Sequence, residues 1–82
     1  MSAPVLTVDD NPNLYWVWDG VDPDHWNIQQ NGPATGGWFD YTAVPGSERR
    51  YNDLNDGISF RLFGEDVDNN PITPTSNVVV SP

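Results

Sequence analysis

Large apolar side chains recur at every second position in several short stretches of the chain, which is the period of a β-strand. The pattern is clearest at Leu14, Trp16 and Trp18, and it returns at Trp26 and Ile28. No stretch keeps a helical apolar period for three turns. Seven strands are therefore predicted, at residues 5–8, 14–18, 25–30, 38–44, 49–52, 58–65 and 77–81.

Proline, glycine and asparagine divide these stretches and supply the turn chemistry. Pro45-Gly46 suits the centre of a type II turn, because proline fixes the first φ and glycine accepts a positive second φ. Asn69-Asn70-Pro71 predicts an extended loop, since proline cannot donate a hydrogen bond to a strand ladder. Short strands separated by such signals are typical of an all-β sandwich or barrel.

The stretch from Leu54 to Phe60 predicts a corner at which the chain crosses from one sheet to the other. Leu54 supplies a large apolar side chain that closes one end of the core. Gly57 turns the backbone without the penalty of a Cβ atom. Phe60 then enters the core at the start of the next strand, so we expect all three residues to be structural.

This corner resembles the Leu-x-Pro-Gly-x-x-Tyr corner that precedes the sixth strand of fibronectin type III domains. Leu54 and Gly57 match the family pattern, whereas Asp56 stands in place of proline and Phe60 in place of tyrosine. Phenylalanine has no hydroxyl group, so the tyrosine-corner hydrogen bond to the nearby backbone is not expected here.

Other stretches resemble the same family in the same order along the chain. "LYWVWDG" is similar to the family's second strand with Trp18 at its core tryptophan, and "WNI" to its third strand. "EDVDNNPITPTSNVVVS" is similar to the passage from the sixth to the seventh strand. The resemblance implies one immunoglobulin-like domain over residues 1–82, folded as a seven-stranded Greek-key β-sandwich. It implies no chemistry, because this fold serves many functions.

The net charge of the chain limits which classes of partner are expected. Twelve acidic residues face three arginines and no lysine, which gives a net charge of −9. Such a charge repels phosphate backbones and anionic lipid surfaces, so neither nucleic acid nor membrane is an expected partner. There is no cysteine, so neither a disulfide nor a thiolate metal site is available. No cofactor is expected.

Catalysis is not predicted. His25 is the only histidine, and no serine lies in the Gly-x-Ser-x-Gly context of a nucleophile elbow. One histidine without a second ligand or a defined nucleophile satisfies neither a zinc site nor a catalytic triad. We therefore expect a protein that is not an enzyme and has no catalytic residue.

Acidic residues are the remaining candidates for metal binding. In the fold implied by the resemblance, the loops after the second and sixth strands lie at one end of the sandwich. These loops together carry six acids: Asp19, Asp22, Asp24, Glu65, Asp66 and Asp68. The segment from Asp66 begins like a calcium-binding loop, but Pro71 stands where that loop needs glycine, and no glutamate closes it. No metal site is predicted, although the sequence leaves open whether these loops hold calcium.

The aromatic residues divide into a core set and a contact set. Trp16, Trp18 and Trp26 lie in phase with other apolar positions, which favours the interior. Strand alternation places Trp38 on one face of its strand and Phe39 with Tyr41 on the other, so one set must be exposed. We therefore predict a partner-binding surface at the contact set, Trp38, Phe39 and Tyr41.

The functional expectation comes from the resemblance. Similar domains occur in tailed bacteriophages, on heads, tail tubes and fibres, and in bacteria as spacers within secreted glycoside hydrolases. The start Met1-Ser2-Ala3 reads as a natural one. We expect a virion surface protein that docks on a capsid or tail protein. The alternative is a spacer or a weak carbohydrate-binding module of a secreted extracellular enzyme.

Overall fold

The chain forms two antiparallel β-sheets, which a computed structural model describes over residues 3–32, 36–52 and 57–82. The strands are β1 Val5–Val8, β2 Leu14–Val17, β3 His25–Asn31, β4 Phe39–Pro45, β5 Arg50–Tyr51, β6 Ser59–Glu65 and β7 Val79–Val80. One sheet has the order β1-β2-β5, and the other has the order β4-β3-β6-β7. No helix occurs among the described residues, so the all-β prediction is confirmed. Nothing in this part of the chain forms an apolar helix long enough to cross a membrane.

The two sheets share one apolar core. Its fully buried side chains come from both sheets: Leu6, Leu14, Trp16, Trp26, Ile28, Phe60 and Leu62. Trp16 of β2 meets Trp26 of β3 edge to face, with ring centroids 6.0 Å apart. Such edge contacts add to the apolar burial that holds the sheets together. This arrangement is compatible with a β-sandwich.

The longest register joins β3 to β6 over seven residue pairs, from His25 opposite Glu65 to Asn31 opposite Ser59. Because side chains alternate across a strand, Trp26 and Ile28 enter the core, and the intervening residues of β3 point outward. The same alternation in β2 buries Leu14 and Trp16, as the sequence predicts.

The predicted corner is present on its described side. Gly57 has φ of +70°, a conformation that glycine adopts without the strain of a Cβ atom. Phe60 is fully buried in the core. Leu54 lies outside the described residues. Trp18, which follows β2, is half-buried and meets Trp26 edge to face with centroids 6.1 Å apart.

The turn after β4 differs from the prediction. Gly46 has no positive φ, and the amide of Glu48 donates to the carbonyl of Pro45 at 3.0 Å. Proline therefore opens the turn and does not occupy its second position. Gly46 is required for another reason: a Cβ atom there would lie 1.7 Å from the carbonyl oxygen of Pro23.

The last strand is shorter than the predicted segment 77–81. Only Val79–Val80 pairs as a strand, opposite Phe60 and Ser59 of β6. The preceding residues reach β6 in a different way, because the hydroxyl groups of Ser76 and Thr73 accept hydrogen bonds from its backbone amides. Asn77 turns instead toward β1 of the other sheet.

Candidate interaction surfaces

The predicted contact set lies at the open edge of the four-stranded sheet, and a β-bulge divides its members. The register between β3 and β4 shifts between Ile28 and Gln29, which leaves Tyr41 as the extra residue. Tyr41 packs on the core, with its ring 5.6 Å from Phe60. Phe39 is 54% exposed. The two residues therefore differ in exposure although they lie two positions apart.

Trp38 is half-buried, and the side chain of Arg61 covers one face of its ring. The guanidinium carbon of Arg61 lies 4.2 Å from the centroid of the Trp38 ring, a favourable cation–π geometry. Arg61 is itself held, because its Nε donates to Oε1 of Gln29 at 2.9 Å. The ring face beneath Arg61 is thus already covered, which leaves it unsuited to stacking on a sugar ring.

Hydrogen bonds continue from Gln29 across the outer face of β3. Oδ1 of Asp40 accepts from Nε2 of Gln29 and from Nδ2 of Asn27, both at 3.1 Å. Asp40 lies opposite Gln29 in the register, so the three side chains share one face of the sheet. This face is polar and presents the Asp40 carboxylate beside the open edge of β4.

His25 lies between two carboxylates at one end of the same face. Its Nδ1 is 2.9 Å from Oδ2 of Asp24, and its Nε2 is 2.9 Å from Oε1 of Glu65. A carboxylate only accepts hydrogen bonds, so both contacts are satisfied together when the imidazole is protonated. The hydrogen bonds to Asp24 and Glu65 raise the pKa of His25, against a smaller opposing effect of burial.

An open groove of about 500 Å³ connects these side chains along β3 and β4. Its lining consists of His25, Asn27, Asp40, Tyr41, Thr42, Ala43, Glu65 and Asn69. Carboxylates of this kind attract cations, and the amide groups hydrogen-bond polar partners. The groove is therefore a candidate site for a polar, positively charged partner.

A second candidate surface is apolar and lies on the outer face of the three-stranded sheet. Val5 and Val17 are directly opposite each other on β1 and β2, with exposures of 58% and 70%. Val21 in the following loop is 90% exposed, and its carbonyl accepts a hydrogen bond from Nε1 of Trp18. We call Val5 and Val17 the valine patch.

Sequence reasoning missed the valine patch, although a signal for it was present. The alternation that buries Leu14 and Trp16 also places Val17 on the outer face of β2. A shallow cavity of about 120 Å³ adjoins Val5 and Val17 and is lined in addition by Ala3, Trp18 and Asp19. Two exposed valines on adjacent strands make this face a candidate contact surface.

The strand edges are protected to different degrees. Asn77 closes the edge of β1, because its Oδ1 accepts from the amide of Leu6 at 2.7 Å and its Nδ2 donates to the carbonyl of Leu6 at 2.9 Å. The side-chain amide thus replaces a neighbouring strand. β4 ends its sheet, and no described strand pairs with its outer side.

The acidic loops use their carboxylates to organise the backbone. Oδ1 of Asp66 accepts from the amides of Asp68 and Asn70, both at 2.9 Å. Oδ1 of Asp9 accepts in the same way from residues 11 and 13. Hydrogen bonds from the backbone amides lower the pKa of both Asp9 and Asp66, with the Asn11 and Asn70 amides contributing most.

The loops after β2 and β6 do lie at one end of the molecule, since the amide of Asp24 donates to the carbonyl of Glu65 at 3.0 Å. Their acids are engaged separately. Asp22 pairs with Arg49, and Asp24 pairs with His25. Within residues 3–32, 36–52 and 57–82, no group of three or more acidic or histidine side chains is arranged to hold a metal ion.

Comparison of the chain with protein-family models, with curated proteins and with solved structures gave no match.

Proposed function

We propose that this chain is a non-enzymatic interaction module with the Greek-key, immunoglobulin-like sandwich of fibronectin type III domains. The strand orders β1-β2-β5 and β4-β3-β6-β7 support this assignment, as does the corner at Gly57 and Phe60. In this proposal the fold is a rigid support, and its function depends on what the outer faces bind.

The valine patch is the observation on which a docking function rests. Val5 and Val17 lie directly opposite each other on adjacent strands, and each exposes more than half of its surface. Burying one valine side chain in an interface contributes about 1.5–3 kcal/mol. The outer face of β3 in the other sheet carries the polar side chains of Asn27 and Gln29, which are bonded to Asp40, so that face is less suited to an apolar contact.

We propose further that the partner is a capsid or tail protein and that the chain is a virion surface protein of a bacteriophage. Support comes from the resemblance described above and from the charge of −9. With the valine patch against the particle, most acidic side chains would face solvent. Like charges on neighbouring particles then keep them apart.

Sedimentation tests this function in two steps. Mass spectrometry of virus-sized particles pelleted from the source should detect the intact 82-residue chain. Particles depleted of the chain should then rebind the purified protein. Val17→Asp should weaken rebinding at least tenfold, because it places a charge within the apolar contact.

Val67→Asp is the matched control, since Val67 is also a highly exposed valine but lies in the loop after β6. It should rebind like the unaltered protein. Equal loss in both variants, or no binding by the unaltered chain, overturns docking through the valine patch. Peptides found only within a longer secreted polypeptide would instead indicate the spacer or carbohydrate-binding accessory module.

A further inference from the structure

We propose that the open edge of β4 binds an extended, lysine- or arginine-bearing segment of a partner protein by strand addition. This site is separate from the valine patch, which lies on the other sheet. The proposal therefore goes beyond the docking function and does not depend on it. It rests on three observations: the state of each strand edge, the geometry of β4, and the charge beside it.

β4 offers the longest open edge of the two sheets. It spans seven residues, Phe39–Pro45, and pairs only with β3 among the described strands. β5 and β7, which also end their sheets, have two residues each. The fourth edge strand, β1, has Leu6 closed by the Asn77 amide. Unpaired backbone groups on an edge strand are the template for strand addition.

The geometry of β4 limits the added strand to a short one. The bulge at Tyr41 bends the edge, and Pro45 has no amide to donate at the far end. A run of three residues, 42–44, lies between these two features. A partner segment of a few residues fits this run, whereas continuous growth into a larger sheet does not.

The charge beside β4 selects a basic segment. Asp40 and Ala43 lie opposite Gln29 and Asn27, so both belong to the outer face that borders the groove. An added strand would place every second side chain over this face. There it lies near the Asp40 carboxylate. On β3, the next strand, the single positive charge of the His25 imidazole is exceeded by its two carboxylate partners, Asp24 and Glu65. Arg61 is already engaged by Trp38 and Gln29.

A second copy of the chain is the less favoured occupant. Two chains would each carry a charge of −9 and no lysine. Pairing two copies would therefore bring two strongly acidic surfaces together, and their like charges repel. Charge complementarity therefore points to a different protein with lysine or arginine in an extended segment.

The test uses three synthetic peptides of seven residues with the isotope-labelled protein. The first alternates threonine and lysine, the second replaces lysine by glutamate, and the third is the lysine peptide with threonines replaced by proline. The threonine-lysine peptide should shift the backbone amide signals of β4 and slow their hydrogen exchange. It should bind at least tenfold more tightly than either other peptide.

Two variants locate the contact. Asp40→Asn removes the charge but keeps an oxygen that accepts from Asn27 and Gln29, and it should weaken binding of the lysine peptide about threefold. Ala43→Lys adds a positive charge at an exposed position without removing a contact, and it should weaken binding by a similar factor. Asp10→Asn, an exposed acid between β1 and β2, is the control and should bind unchanged.

Each remaining outcome counts against the proposal. Equal binding of the lysine and proline peptides would indicate charge attraction without strand addition. Equal binding of the lysine and glutamate peptides would remove the basic specificity. Shifts confined to other strands would place the site elsewhere. Concentration-dependent protection of β4 without peptide would identify a second copy as the occupant. These results leave the particle-rebinding experiment unaffected, since that experiment changes only Val17 and Val67.

Discussion

At the scale of single residues, His25 shows how one side chain is fitted to its surroundings. It lies between Asp24 and Glu65 with both ring nitrogens 2.9 Å from a carboxylate oxygen. Glu65 is 8% exposed, and a buried carboxylate is costly unless it is paired. The protonated imidazole supplies that pairing, and its positive charge also contributes to the lowered pKa of Asp66.

The raised pKa of His25 predicts a fall in stability as the pH rises. The contribution of His25 is fully present below its unfolded pKa of 6.5 and is lost as the pH passes through the raised folded pKa. The thermal unfolding midpoint should therefore decrease between pH 6 and pH 8. His25→Gln should remove most of this dependence, which calorimetry at several pH values can measure.

An unchanged slope in His25→Gln would show that another group titrates in this range.

A separate and opposite effect of pH on stability is expected in acid. The lowered pKa values of Asp9 and Asp66 predict stability that is lost as the pH falls below their ordinary value of 3.8. The two effects act in different pH ranges and can be told apart.

At the scale of strands and loops, the Asn77 side chain joins the two sheets. It links Leu6 of β1 to the segment that leads into β7, and it closes a strand edge that could otherwise pair with another chain. The bond partners are 71 residues apart in sequence. The clamp therefore requires the whole fold to be in place.

Asn77→Ala should lower the free energy of unfolding by about 1–3 kcal/mol, because two hydrogen bonds to Leu6 are lost. Urea unfolding measures this change, and hydrogen exchange at the Leu6 amide should become faster. Thr75→Ala, an exposed position in the same loop, is the control and should unfold like the original chain. Unchanged exchange at Leu6 in Asn77→Ala would contradict the clamp.

At the scale of the whole molecule, the excess of negative charge opposes folding. Twelve acids and three arginines share a chain of 82 residues, and bringing like charges together in a compact state costs free energy. Two of the three arginines lie over tryptophan rings, Arg49 over Trp26 and Arg61 over Trp38. These two guanidinium groups thus contact rings of the fold, and the surface potential stays negative.

Raising sodium chloride from 10 mM to 500 mM should raise the thermal unfolding midpoint. Salt screens the repulsion between the acids, because the Debye length falls from about 30 Å at 10 mM to a few ångströms at 500 mM. Calcium chloride at matched ionic strength should give the same rise. A lower midpoint in sodium chloride would mean that screened ion pairs outweigh the repulsion. A clearly larger rise with calcium would reveal a calcium site in the acidic loops.

The strands were predictable because their signal is local. Alternation of apolar residues located β1 at its observed bounds and most other strands within one residue. Gly57 was predictable as a turn residue because positive φ favours glycine. The turn at Gly46 was not, since its glycine is needed for a close approach to Pro23, a residue on another loop.

The candidate surfaces were also less predictable, because they depend on contacts between strands that are distant in sequence. Trp38, Phe39 and Tyr41 were proposed together, and that surface stays a prediction. Their different surroundings depend on a bulge opposite β3 and on Arg61 of β6. Strand alternation could have predicted that Val17 is exposed. It could not have predicted that Val17 forms a patch, because that depends on Val5 lying opposite it on β1.

The sequence by itself determined the strand positions, the all-β class, the negative charge and the tryptophans of the core, because each follows from local period or composition. Only the tertiary structure decided which sheet edge stays open, which ring is covered and which carboxylates meet His25. Most of those features depend on contacts between residues far apart in sequence, such as His25 with Glu65 at 40 positions and the clamp of Asn77 on Leu6 at 71 positions. Local sequence patterns do not indicate such contacts, because the contacts form only when the two sheets pack on a common core.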